Sequence, residues 1–175
     1  MDYFSVFGLE PHLSIDVEDL QARFYKLSRE YHPDRFARAS ADEQQKALET
    51  TSMLNDGLRA LKDPVRRAEY MLMRHGLETA QEKADVSPAM LEEVFELNEK
   101  LEELKGGDVS ARPEIEAALA HFTELRDGLD GELTGLFAEY DWTKREDVLK
   151  RIRRLLNRRR YFENLVNEAS KTLKA

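Results

Sequence analysis

The chain has no cysteine. Disulfide bridges, thiolate nucleophiles and ligation of iron–sulfur clusters by its own thiols are therefore excluded. No apolar run approaches the length that spans a bilayer, and the opening Met1-Asp2-Tyr3-Phe4 lacks the basic start of a secretory signal. Net positive charge is missing as well. The formal charge is −8, which argues against a nucleic-acid protein acting through global charge. There is no glycine-rich phosphate loop and no nucleophile motif, and His12, His32, His75 and His121 are too widely separated to show metal-ligand spacing. These absences leave a soluble, cytoplasmic protein with no cofactor and no enzymatic activity as the expectation, with neither nucleic acid nor membrane as a partner.

What is present is amphipathic. At 175 residues the chain is long enough for one domain or two small ones, and its mix of 41% hydrophobic and 35% charged residues suits solvated helices better than a β-sandwich. An all-α fold is expected. Asp2 to Leu9 allows at most a brief helix before Pro11. Asp16 is a good N-cap, followed by Glu18 and Asp19 in the first turn. Leu20, Phe24, Leu27 and Tyr31 then recur at four-three-four spacing, which predicts one buried face. Arg23, Lys26 and Arg29 form a separate basic stripe. Pro33 forces His32 out of helical geometry and stops the helix.

Ser40-Ala41-Asp42-Glu43 reads as a capping box for a third helix with Ala47, Leu54, Leu58 and Leu61 inward. Asp63-Pro64 closes it and opens another helix that stops at Gly76. The two long helices must pack antiparallel, which exposes Tyr31-His32-Pro33-Asp34-Arg35-Phe36 at their tip, the place where function usually sits on such a scaffold.

The rest of the chain predicts a three-helix bundle over 87–175, after a linker at 77–86. Ser87-Pro88 starts a helix whose seam is Met90, Val94, Leu97, Leu101 and Leu104, ended by Gly106-Gly107. A second helix from about Pro113 carries Ile115, Leu119, Phe122, Leu125, Leu129, Leu133 and Leu136. The third is expected to follow a capping box at Thr143-Lys144-Arg145-Glu146, with Val148, Ile152, Leu155, Phe162, Val166, Ala169 and Leu173 inward. Two features exceed what a bundle needs. Leu91 and Phe95 lie four apart, one step off the seam, among Glu92, Glu96 and Glu99, so an exposed apolar pair inside an acidic rim is expected. The run Lys144 to Arg160 holds nine Lys or Arg, expected to pair with the acidic first helix of the bundle.

With these motifs in view, residues 1–76 resemble a J-domain, the module that stimulates ATP hydrolysis by DnaK-type chaperones. The likeness rests on His32-Pro33-Asp34 after the basic helix, Leu54-Asn55, and Asp63-Pro64 through Arg67-Ala68-Glu69-Tyr70. Met1-Asp2-Tyr3-Phe4 with Phe7-Gly8-Leu9, and Arg67-Ala68-Glu69-Tyr70 before His75-Gly76, are similar to the HscB family, co-chaperones of bacterial iron–sulfur cluster assembly. One departure is Gly57, where the family has a larger residue such as Ala; mid-helix glycine costs about 1 kcal/mol, so a looser turn is expected there.

The resemblance implies two partners, an HscA-like DnaK-type chaperone and an IscU-like scaffold on which clusters are built. His32, Pro33 and Asp34 would form the chaperone trigger, Asp34 pairing with an arginine of the chaperone, while Arg23, Lys26, Arg29 and Arg35 complete the chaperone-binding set. Met90 through Glu99 is similar to the family's scaffold-contacting helix, so Leu91, Phe95, Glu96 and Glu99 are the expected contacts; Glu92 stands where relatives often carry Met. Tyr161 matches an aromatic of the third helix in the same surface. The alternative weighed is a general J-domain protein whose Met90–Leu104 seam serves homodimerisation. A monomer or weak homo-oligomer is expected.

Overall fold

The computed structural model describes residues 2–77 and 85–175. Among the described residues all regular structure is helical, seven α-helices and two short 3₁₀ turns. It divides into two compact units. One joins the N-terminal residues through Leu77 to Phe137–Lys144; the other holds the described residues from Asp85 to Leu136 together with Arg145–Ala175. The expected linker, 77–86, lies largely outside the described residues.

In the first unit α1 (Tyr3–Val6) is held by a capping box between Asp2 and Ser5. The backbone hydrogen bond from Ser5, with Arg74 nearby, keeps the Asp2 carboxyl below its usual range. Helix α2 (Val17–Glu30) starts at Asp16, which accepts from the Glu18 and Asp19 amides, and α3 (Ala41–Lys62) starts at the Ser40–Glu43 capping box. Helix α4 (Pro64–Arg74) is capped by Asp63 and followed by Gly76 at φ +67°, a left-handed conformation suited to glycine. Phe4, Phe7, Leu13, Leu20, Leu54, Leu61, Met71 and Leu72 are buried.

Two expectations need correction here. Of the predicted α2 face only Leu20 is fully buried; Phe24 and Leu27 are half-buried, and Tyr31 is exposed because it lies past the end of the helix. Nor is the turn at Gly57 loose. The residue is buried, and a Cβ there would lie 2.9 Å from the ring of Phe7 and 3.3 Å from Tyr3, so glycine lets α1 approach α3 closely.

Helices α5 (Pro88–Lys105), α6 (Arg112–Thr143) and α7 (Glu146–Lys174) supply the core of the second unit. Val94, Leu97 and Leu101 pack with Ile115, Phe122, Leu129, Phe162, Val166 and Ala169. Side-chain contacts between helices report direction. His121 meets Glu93 and Lys100 meets Glu114, so α5 and α6 are antiparallel; Arg159 meets Asp130 and Arg126 meets Glu163, so α6 and α7 are antiparallel too.

The N-cap position of α7 falls on Arg145, two residues later than the start expected at Thr143. Thr143 is the last residue of α6 and donates to Glu139 O, and the N-cap of α7 is Arg145, without a side-chain cap bond. The connection is made instead by Lys144 at φ +53°. Within the basic run, Arg159 reaches Asp130 on α6 and Glu163 on its own helix, while Lys150 meets Glu146 and Arg145 meets Asp147, so these three pairs do not go to α5.

The tip of α6 completes the first unit. Asp141 accepts the backbone N–H of Leu13 at 2.8 Å and of Ser14 at 2.7 Å. Tyr140 hydroxyl lies 3.0 Å from His75 Nε2, and Lys144 Nζ donates to Pro11 O. Arg67, only 6% exposed, donates from Nε to Leu13 O and from Nη1 to Leu61 O. Desolvation lowers its pKa, and the two carbonyls take up two of the fork's donors inside the core.

Candidate partner-binding sites

The connection between α2 and α3 is built to hold a turn outward. Pro33 requires extended backbone before it, and His32 adopts φ −60°, ψ 130° as the cap of the 3₁₀ turn Pro33–Phe36. The Asp34 amide donates to His32 Nδ1 at 3.3 Å. An accepting Nδ1 carries no proton, so its 3.5 Å approach to Asp34 Oδ2 is not an ion pair in this tautomer. The Asp34 side chain is 90% exposed and its carboxylate remains open to an external donor. Thr51 Oγ1 donates to Tyr31 O, tying α3 to the start of the turn. Thr51 was not singled out from sequence, where a mid-helix threonine carries no signal.

The basic residues beside the turn fall into two groups. Lys26, Arg29 and Arg35 are exposed, and Arg35 Nη1 reaches back to Arg29 O. Arg23 differs: Nε donates to Asp19, and Nη1 donates to the carbonyls of Phe7 and Gly8. Its guanidinium fastens the end of α1 to α2, a structural task that leaves less of it for an external partner.

In the second unit, Leu91 is 51% and Phe95 64% exposed, while of the seam residues one step away Val94 is buried and Met90 half-buried. At 100° per residue the pair points well away from Val94, Leu97 and Leu101. Glu92, Glu96 and Glu99 are exposed around it, giving an apolar patch with an acidic rim. Tyr161 is half-buried against the core with its ring 6.0 Å from Phe162. The turn and the patch belong to different units. Among the described residues no group of three or more His, Asp or Glu is placed to hold a metal ion, and no helix is long and apolar enough to cross a membrane.

Comparison with known proteins matches this arrangement twice over. Residues 2–70 match the DnaJ domain, and residues 86–170 match the HSCB C-terminal oligomerisation domain. The chain belongs to the HscB family. HscB chaperones are also its structural relatives. Chaperone HscB from Vibrio cholerae is 29% identical, with a TM-score of 0.63 over 98% of this chain and 96% of that one. Human co-chaperone protein HscB is 26% identical, with a TM-score of 0.67 over 98% of this chain and 81% of that one. The chain is thus a J-domain co-chaperone of the HscB type, the family of iron–sulfur assembly co-chaperones.

Proposed function

We propose that this HscB-family protein is a cytoplasmic adaptor with two binding ends. The first unit docks on a DnaK-type chaperone of the HscA kind and stimulates its ATPase; the second carries an IscU-type iron–sulfur scaffold to that chaperone. Hydrolysis takes place in the partner. The adaptor accelerates it only by binding the hydrolysing state of the chaperone more tightly than the resting state. Asp34 supplies the open carboxylate for a chaperone arginine, and Pro33 holds the turn so that little ordering entropy is lost on docking. Lys26, Arg29 and Arg35 steer the encounter with an acidic surface and raise the association rate, with Arg23 a lesser contributor.

The observation that carries the scaffold half is the exposure of Leu91 and Phe95 on a helix whose seam residues Val94, Leu97 and Leu101 are buried. Two large apolar side chains rimmed by Glu96 and Glu99 fit a partner with an apolar pocket and basic edge. Asp34→Asn tests the chaperone half: the fold should persist and ATPase stimulation should vanish, and full stimulation by that variant would sink the assignment.

Self-association is a second reading, favoured by the description of the matched C-terminal family as an oligomerisation domain. The seam first weighed for it cannot serve, because Val94, Leu97 and Leu101 are buried in the protein's own core. A dimer has to use another face.

A further inference from the structure

Helix α2 ends on a carbonyl that its own backbone does not serve. In a continuing helix, Tyr31 O would accept the amide of Arg35. That amide donates to His32 O at 2.9 Å instead, because the 3₁₀ turn starts there, and Pro33 has no amide to offer. The acceptor left over at Tyr31 is taken by Thr51 on α3, whose Oγ1 donates to it at 3.1 Å.

That is not what a helical threonine does elsewhere in this protein. Thr123, Thr134 and Thr143 also lie in helices, and each donates to the carbonyl four residues before it. The back-bond is the local option open to any helical threonine, since its acceptor is always within reach. Thr51 turns its hydroxyl away from α3 and spends it on a residue twenty positions earlier. Its side chain is half-buried, so the hydroxyl sits between the two elements rather than in open water.

The bond also stands apart from the others of the turn. Among the described residues, the remaining hydrogen bonds of residues 31–37 all close within 27–39. Several of these are long. The Asp34 amide lies 3.3 Å from His32 Nδ1, Arg35 Nη1 is 3.4 Å from Arg29 O, and the Ala37 amide is 3.5 Å from Asp34 O. They give the turn a shape but refer it to nothing outside itself. Thr51 alone ties it by a hydrogen bond to α3, and does so at the residue where the chain leaves α2. Asp34 follows three residues later, so the direction set at Tyr31 is carried to its carboxylate.

We propose that Thr51 is a positioning residue of the trigger: its hydroxyl holds the Tyr31 carbonyl so that the free protein already presents Asp34 in the docking geometry. The docking itself rests on the chaperone reading above. Without the bond, water takes the carbonyl, the turn samples more directions, and only a fraction of the molecules is ready to dock. The apparent affinity for the chaperone falls by that fraction, whereas the docked complex, in which the partner orders the turn, is unchanged.

The test compares Thr51→Val, which keeps the branched shape and removes the donor, with Thr51→Ser, which keeps the donor. The ATPase of an HscA-type chaperone is titrated with each full-length protein. Loss of one neutral, partly exposed hydrogen bond should raise the half-stimulating concentration of Thr51→Val about threefold. The plateau of stimulation should not change, and Thr51→Ser should behave as wild type. Nitrogen-15 relaxation reads the turn without any partner. Order parameters at the Asp34 and Arg35 amides should fall in Thr51→Val and hold in Thr51→Ser, with the urea midpoint of all three proteins the same. A half-stimulating concentration in Thr51→Val equal to that of wild type would overturn the proposal. So would a Thr51→Ser as impaired as Thr51→Val, which would make shape rather than the donor decisive, or an impairment that comes with lost stability and unchanged order in the turn. Failure of wild type itself to stimulate refutes the chaperone reading, and the order parameters alone then decide whether Thr51 holds the turn.

Discussion

Replacing Leu91 and Phe95 together by alanine should separate binding from folding. Full burial of a Phe or Leu side chain contributes up to about 3 kcal/mol. Phe95 keeps 64% and Leu91 51% of its surface in water, so seating both in an interface adds about 2 and about 1.5 kcal/mol. Alanine retains only Cβ and forfeits most of this, about 3 kcal/mol, or on the order of a hundredfold in dissociation constant. The folded protein gains little from side chains so exposed, and both positions are inside a helix that alanine favours. Its unfolding free energy should move by no more than about 0.5 kcal/mol. Calorimetric titration of an IscU-type scaffold into wild type and double variant, beside urea unfolding of each, measures both quantities. Scaffold affinity within about threefold of wild type would refute the reasoning. A loss of stability above about 2 kcal/mol would refute it differently, by showing that the pair belongs to the core.

Two further substitutions probe the first unit. Gly57→Ala gains about 1 kcal/mol of helix propensity but drives a Cβ to 2.9 Å from the buried Phe7 ring, and overpacking of that kind costs about 1–3 kcal/mol; urea unfolding should show net destabilisation, and a stabilised variant would contradict the close approach. Asp141→Asn turns one of two acceptors into a donor facing an amide, so exchange of the Leu13 and Ser14 amide protons should quicken by at least about tenfold, and unchanged exchange would show that the carboxylate does not cap them.

The parts of the fold legible in the sequence are those set by local rules. Asp16, Ser40, Asp63 and Ser87 announced their helices because a short polar side chain before an apolar period satisfies amides within three residues. The seam of α5 and the exposure of Leu91 and Phe95 followed from one periodicity, since 100° per residue decides both. Thr143 matches the capping pattern but is the last residue of α6, and the N-cap position of α7 falls on Arg145; a capping motif does not reveal whether the preceding helix has ended.

What depended on distant chain was not legible. Asp141 caps amides 127 and 128 residues earlier, and nothing in the local sequence signals that reach. Arg67 left a faint trace. It precedes Met71 by four residues and so falls on the apolar stripe of α4, but a charged residue there reads as solvated until Leu13 O and Leu61 O are seen to receive its donors. In sequence Arg23 is indistinguishable from a free steering charge for the same reason, since its two carbonyl acceptors belong to a turn fifteen and sixteen residues upstream. Gly57 needed the ring of Phe7 in place before its role was visible.

Steady-state ATP hydrolysis by an HscA-type chaperone shows whether this one chain links a chaperone to a scaffold as proposed. This protein and an IscU-type scaffold are added singly and together. Stimulation by the pair should stand well above the sum of the separate effects, be lost in Asp34→Asn and be weakened when Leu91 and Phe95 are both alanine. Stimulation indifferent to the scaffold would contradict the two-ended adaptor, and no stimulation of any DnaK-type chaperone would contradict the reading of the His32-Pro33-Asp34 turn itself.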